Sequence, residues 1–354
     1  MENAVLDLVR EGLGESGDSV AAAWMLIDRR NDFLIPARAA HGTLQAEALD
    51  RWAEAFDLLD LELLMFRAVM SEHEETMVNS GEDDVGMGAL ALNRLFWAGY
   101  VTANEVLTLF RAGFSAGALG RWRALHEITT RAELISQAGM FMDDIGERYL
   151  EHENLRGRAE LRLLRTWLKT GGGEQVITRD LTRSFAQLDN ELVDRYGNIF
   201  RGEYGWAHEL LLNSSAEYEQ RFQRAERLRG PTFADLERHV REDYDDPRWW
   251  ELLYSEASAA VHGSPRAVST YDSGVRPHRG PDLEAMTISP VGAATARRLA
   301  SLAWGCTVPT GSEPDETDKT EALMQMLEAG SVLCGVAERA FREAVEDESV
   351  DEES

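Results

Sequence analysis

The residue types most suited to chemistry lie in two stretches of this sequence. The first runs from Trp249 to His262. At about 100° per residue, a helix there puts Trp250, Leu253, Tyr254, Ala257 and Val261 on one apolar face. Glu251, Ser255, Ser258 and His262 form a polar stripe beside it. A histidine at such a border sits where a cleft edge would be and exchanges protons near neutrality. The plainer reading is a hydrogen-bonded strut. The second stretch holds Arg123, Glu127 and Arg131, spaced by four on one helical face, with Leu125, Ile128, Ala132 and Ile135 on the other. That spacing suits a surface ladder of ion pairs, worth about 0.2–0.5 kcal/mol each. It equally suits a guanidinium and a carboxylate held in a cleft to bind or orient something.

Together the stretches carry a resemblance. Gly113-Phe114-Ser115 followed by Leu119-Gly120-Arg121-Trp122-Arg123-Ala124-Leu125-His126-Glu127 resembles a helix with an R-x-x-x-E signature. The run Tyr254-Ser255-Glu256-Ala257-Ser258-Ala259-Ala260-Val261-His262-Gly263-Ser264 resembles a Y-S-x-x-S-x-x-V-H-G-S signature. Both are similar to a bacterial domain-of-unknown-function family, 5677, over about Leu92 to Cys306. The resemblance implies an all-helical domain in which Arg123, Glu127, Ser258 and His262 match the motif positions and share one cleft. The layout also resembles the HEPN helical domains, many of them metal-independent ribonucleases of toxin–antitoxin and phage-defence systems. Their motif puts an arginine four to six intervening residues before the histidine. Here those positions are Ala257, Glu256 and Ser255, so any such cation must come from another helix.

Other candidates lead nowhere. Glu72-His73-Glu74-Glu75 lacks the second histidine of a zincin helix, and Gly171-Gly172-Gly173 lacks the Lys-Ser/Thr of a phosphate loop. Two cysteines, Cys306 and Cys334, make neither a disulfide framework nor a four-cysteine zinc site. No cofactor or metal is expected. Gly113-x-x-x-Gly117 suggests a close helix approach, and Arg266, Arg276, His278 and Arg279 form a local basic segment.

The elements that must position these residues are helices. Apolar residues recur at helical spacing over about Leu44–Val78, Gly88–Ala112, Ala116–Ala138, Asp143–Thr170, Arg179–Arg195, Ala216–Leu228, Thr232–Glu242, Pro247–His262, Val291–Cys306 and Glu321–Glu343. In the first, Leu49, Trp52, Phe56, Leu59, Leu63, Phe66 and Met70 step by three and four. Gly113 closes one helix and Ser115 suits the N-cap of the next. From 264 to 290 the periodicity fails, and Ala285–Ile288 reads as part of an irregular or hairpin insertion. The expected fold is an all-α multi-helix bundle. Its parts are an N-terminal helical extension (1–85), a helical core domain (86–306), a linker (307–320), a C-terminal helix (321–345) and a disordered acidic tail (346–354).

Composition narrows function without naming it. The 354 residues carry 36 Lys+Arg against 63 Asp+Glu, a formal charge of −27. That balance opposes nucleic-acid or anionic-membrane binding over the whole surface, though not at a local basic cleft. No run of about 18 apolar residues suggests a membrane span, and the N-terminus lacks the basic start and apolar stretch of a secretory signal. The cytoplasm is the expected compartment. Two readings follow: a non-enzymatic interaction or defence-associated module with a polar helical cleft, or a HEPN-like ribonuclease using His262 and an arginine from another helix. The first implies a protein partner, a small ligand or a homo-oligomer, and only the second implies RNA.

Overall fold

The computed structural model describes residues 29–79, 85–169, 179–224, 230–240, 247–262, 281–307 and 317–351. Over these the chain forms α1 (Arg30–Asn79), α2 (Met87–Arg111), α3 (Ser115–Ser136), α4 (Met142–Lys169), α5 (Arg179–Tyr196), α6 (His208–Ser214), α7 (Ala216–Arg224), α8 (Phe233–Val240), α9 (Pro247–His262), α10 (Pro281–Cys306) and α11 (Thr317–Asp351). Short 3₁₀ turns fill Gly139–Phe141, Asn198–Arg201 and Gly205–Ala207. The fold is all-α, with no strand among the described residues.

Helix α3 is the hub of one side, packed against α2, α8, α9 and α10. Helices α1, α10 and α11 close the other side and join the same core. The three-and-four stepping of Trp52, Phe56, Leu59, Leu63, Phe66 and Met70 buries one face of α1 completely, while Leu49 stays exposed at its edge. Phe341 of α11 meets Trp52 and Phe56 at ring distances of 6.0 and 6.1 Å. Helices α1 and α11 thus pack apolar faces into the central bundle. Between α2 and α4 the backbones nearly touch. A Cβ on Gly146 would lie 2.5 Å from the Cα of Gly88, so only glycine permits this approach.

The turn into α3 is built from Gly113, with φ of +77°. The Gly113 N–H donates to the Phe110 carbonyl at 2.9 Å and the Phe114 N–H to the Leu109 carbonyl at 2.8 Å. This double closure is the Schellman pattern that ends a helix with a left-handed residue. Gly113 is therefore needed for its φ and not for close helix packing, since nothing lies within 4 Å of a Cβ there. Ser115 is the first residue of α3, and Phe114 holds the cap position without a side-chain cap bond.

Several elements differ from the sequence reading, among them α1, which starts at Arg30 and not at about Leu44. Ala285–Ile288 is helical within α10, which starts at Pro281 and runs through Pro290 to Cys306. Pro290 interrupts the apolar spacing there, and the core face is continuous only from Val291 on. The hairpin is corrected accordingly, while 263–280 lies outside the described residues. The backbone of α11 is helical from Thr317 to Asp351, covering the end of the expected linker and most of the expected tail. Its acidic run continues the register of an anchored helix. Helix α6 had no sequence signature, being only seven residues long.

One buried group opposes this packing. Glu62 of α1 is fully buried, and neither carboxyl oxygen has a hydrogen-bond partner among the described residues. Burial, followed by the charge of Glu338 on α11, raises its pKa well above 4.5. Arg297 bonds Glu338 at 2.5 and 2.7 Å and leaves Glu62 unmatched. A carboxyl whose folded pKa is raised carries no ionisation-linked cost below its unfolded value, and that cost grows as pH rises above it. Glu62→Met is therefore expected to stabilise the fold by about 1–3 kcal/mol at neutral pH. The gain should shrink toward pH 4.5, as checked by denaturant unfolding at both pH values.

Candidate functional site

The placement of α9 on α3 is set by an aromatic stack. Trp250 lies nearly parallel to Trp122 and His126, with ring distances of 6.1 and 5.8 Å and interplanar angles of 12° and 10°. The Arg298 guanidinium of α10 sits 4.2 Å from the centre of the Trp250 ring. Tyr254, one turn on, packs against His126 and against Phe233 of α8. Beyond it, Val261 passes over Gly120, where a Cβ would come within 3.1 Å of Val261 Cγ2. The closely approaching helices leave little room for water between them, so polar side chains along the seam must bond to each other.

Arg123 does most of that bonding. Its Nε donates to Glu127 Oε1 at 3.1 Å and to the Tyr254 hydroxyl at 3.2 Å. Its Nη1 donates to Ser258 Oγ at 3.2 Å and meets His262 Nε2 at 3.2 Å. The Tyr254 hydroxyl donates in turn to Glu127 Oε1 at 3.0 Å, and Arg131 Nη2 donates to Glu127 Oε2 at 3.2 Å. One stripe on α3 (123, 127, 131) thus faces one stripe on α9 (254, 258, 262), both with a step of four. The structure brings Arg123, Glu127, Ser258 and His262 to one place, with His262 exposed at the rim. Glu251 and Ser255, assigned to the same stripe from sequence, are exposed instead.

The electrostatics follow from these contacts. Burial works against the charge of Arg123, but the hydroxyl of Tyr254 and the carboxylate of Glu127 outweigh it and push its pKa up. Tyr254 is also pushed up, first by burial and then by Glu127, so its hydroxyl remains a donor. Because a guanidinium can only donate, the Arg123 contact requires Nε2 of His262 to offer its lone pair. The neutral ring then carries its proton on Nδ1. Arg123 and Arg131 set two positive charges against the single carboxylate of Glu127.

Sequence reasoning missed Tyr254 as a polar member, since its ring counts correctly toward the apolar face while its hydroxyl serves the cleft. It also missed two buried pairs behind the stack. His126 Nε2 lies 2.7 Å from Glu237 Oε1, and Arg298 Nη1 binds both oxygens of Glu133 at 3.1 and 3.2 Å. A histidine beside two bulky aromatics on a helix face was a readable sign of the first pair. The basic residues Arg266, Arg276, His278 and Arg279 lie outside the described residues. No group of three or more His, Cys, Asp or Glu with metal-binding geometry occurs among those described. None of the described helices is long and apolar enough to cross a membrane.

A model of a family of unknown function, DUF5677, matches residues 89–274, just over half of the chain. The chain belongs to that family. No curated protein and no solved structure matches it. The matched region begins at the start of α2, three residues before the Leu92 expected from the motifs. It ends at 274, before α10, so the family match includes the Arg123 cluster but not Arg298.

The stability of the seam is testable at its shared hydroxyl. Tyr254→Phe keeps the ring packing and deletes the bonds to Arg123 and Glu127. It is expected to cost about 1–2 kcal/mol, whereas Ser255→Ala on the exposed side should stay within about 0.5 kcal/mol. Urea unfolding of the two variants checks the difference.

Proposed function

We propose that this protein is an interaction module whose cleft between α3 and α9 captures an anionic group of a partner or small ligand. The observation that carries this reading is the local charge balance. Two guanidinium groups, Arg123 and Arg131, share one carboxylate, Glu127, in a chain whose overall charge is −27. The hydroxyl of Ser258 and the exposed ring of His262 border Arg123 and supply further polar contacts. Arg123 is only about one-quarter exposed, so it cannot be hydrated freely and gains from a compact oxyanion at the rim. Its existing bonds to Glu127 and Tyr254 fix its orientation before any ligand arrives. Such preorganisation reduces the entropic cost of binding.

One contact favours a second reading, a metal-independent ribonuclease. Arg123 Nη1 lies 3.2 Å from His262 Nε2, so a cation from α3 stands beside the histidine although Ala257, Glu256 and Ser255 of α9 supply none. In that chemistry His262 Nε2 takes the proton of a ribose 2′-hydroxyl as its oxygen attacks phosphorus. The imidazolium then returns that proton to the departing 5′-oxygen, leaving a 2′,3′-cyclic phosphate and a 5′-hydroxyl, and Arg123 offsets the charge of the phosphorane. The commitment of Arg123 to four neighbouring side chains supports the binding reading over this one.

Thermal unfolding in inorganic phosphate, against sodium chloride of equal ionic strength, separates the two. Phosphate at ten times its Kd should stabilise the wild type by about 1.4 kcal/mol. Arg123→Ala, compared with its own chloride baseline, should show no such gain. Single-stranded RNA incubated with wild type and chelator should remain intact. Metal-independent cleavage that disappears in His262→Ala would replace the binding reading with the nuclease.

A further inference from the structure

A second cavity, of about 280 Å³, opens between α2, α3, α4 and the segment carrying the second and third 3₁₀ turns. Its walls are aromatic: Tyr149, Tyr204 and Trp206 line it, with the Tyr149 and Trp206 rings 5.0 Å apart and nearly perpendicular. Trp206 and Tyr204 are themselves buried, so this wall is rigid. Besides Arg131, three charged side chains line the cavity: Arg94 from α2, Glu153 from α4 and Glu203 from the 3₁₀ segment. None of the three has a hydrogen bond or ion pair with a described residue, and all are exposed to solvent at its mouth. His152 is already engaged, its ring bonded to the Gly202 carbonyl at 2.8 Å. Arg131 reaches the cavity but spends its Nη2 on Glu127.

The available chemistry is therefore one uncommitted guanidinium, two uncommitted carboxylates and an aromatic wall. The volume is at the small end for ligand pockets and admits one compact ring system with a short polar arm. A guanidinium pairs with a carboxylate in a two-pronged bond. The two carboxylates attract an ammonium and repel a doubly charged anion such as a phosphate monoester. We propose that this cavity is a second ligand site, for a small zwitterion in which an aromatic ring carries both a carboxylate and an ammonium, as in an aromatic amino acid. The ring rests on Tyr149, Tyr204 and Trp206, the carboxylate pairs with Arg94, and the ammonium lies toward Glu153 and Glu203. The cavity borders the α3–α9 cleft at Arg131, but Arg94, Glu153 and Glu203 take no part in the anion reading.

Isothermal titration calorimetry of the full chain with L-tryptophan and L-phenylalanine tests it. Both should bind, and Arg94→Ala, an exposed position that leaves the fold intact by circular dichroism, should weaken them about ten- to hundredfold. Glu203→Gln should weaken L-tryptophan while leaving indole-3-propionate, which lacks the ammonium, unaffected. Indole-3-propionate and tryptamine should each bind more weakly than L-tryptophan. The proposal is overturned if neither amino acid binds at millimolar concentration, or if Arg94→Ala binds them as the wild type does. It is equally overturned if tryptamine or indole-3-propionate matches L-tryptophan.

Discussion

A guanidinium buried at the centre of a helical bundle must have both a counter-charge and a covering surface, and Arg298 has obtained both. It is only 1% exposed. Glu133 of α3 supplies the charge, and the face of Trp250 supplies the cover. Breaking such a pair by removing one partner typically costs about 3–5 kcal/mol, because the survivor is left charged and dry. The relative positions of α3, α9 and α10 are thereby tied together by one side chain. The chain of contacts extends further, since Trp250 stacks on His126, and His126 bonds Glu237 of α8.

The cleft follows from that arrangement. Once Trp250 is fixed against Trp122 and His126, the helix geometry of α9 puts Tyr254, Ser258 and His262 one, two and three turns further along the same seam. Each meets Arg123 or a group bonded to it. The Arg123 cluster is thus a consequence of packing as well as a candidate for binding. These roles are compatible: the bonds to Glu127 and Tyr254 hold the guanidinium still, and the two bonds toward Ser258 and His262 lie at the open end. Far from this seam, Glu62 works in the opposite sense, a buried carboxyl whose cost the surrounding aromatic packing of α1 and α11 must offset.

The sequence made much of this legible where apolar spacing was regular. The buried face of α1 was readable residue by residue, as were the starts of α4 and α9, because each reports one helix against one core. The pairing of the R-x-x-x-E and Y-S-x-x-S-x-x-V-H stripes came from a resemblance, since spacing within a helix says nothing about which helix lies opposite. Arg298 was invisible for a related reason. It follows Arg297, and two adjacent arginines suggest a solvated surface, yet their side chains project about 100° apart. One reaches Glu338 on α11 and remains half-exposed, while the other enters the core. The early part of α10 was hidden by Pro290, which reads as a helix break.

The central claim is that Arg123 and His262 act as one unit across the α3–α9 seam, with the histidine nitrogen facing the guanidinium as acceptor. Heteronuclear NMR of nitrogen-labelled histidine rings at a pH where His262 is neutral tests this directly. The claim predicts a wild-type His262 ring protonated at Nδ1, with an unprotonated Nε2, and a changed tautomer balance in Arg123→Ala. A wild-type ring protonated at Nε2, or a spectrum unaltered by Arg123→Ala, would contradict it.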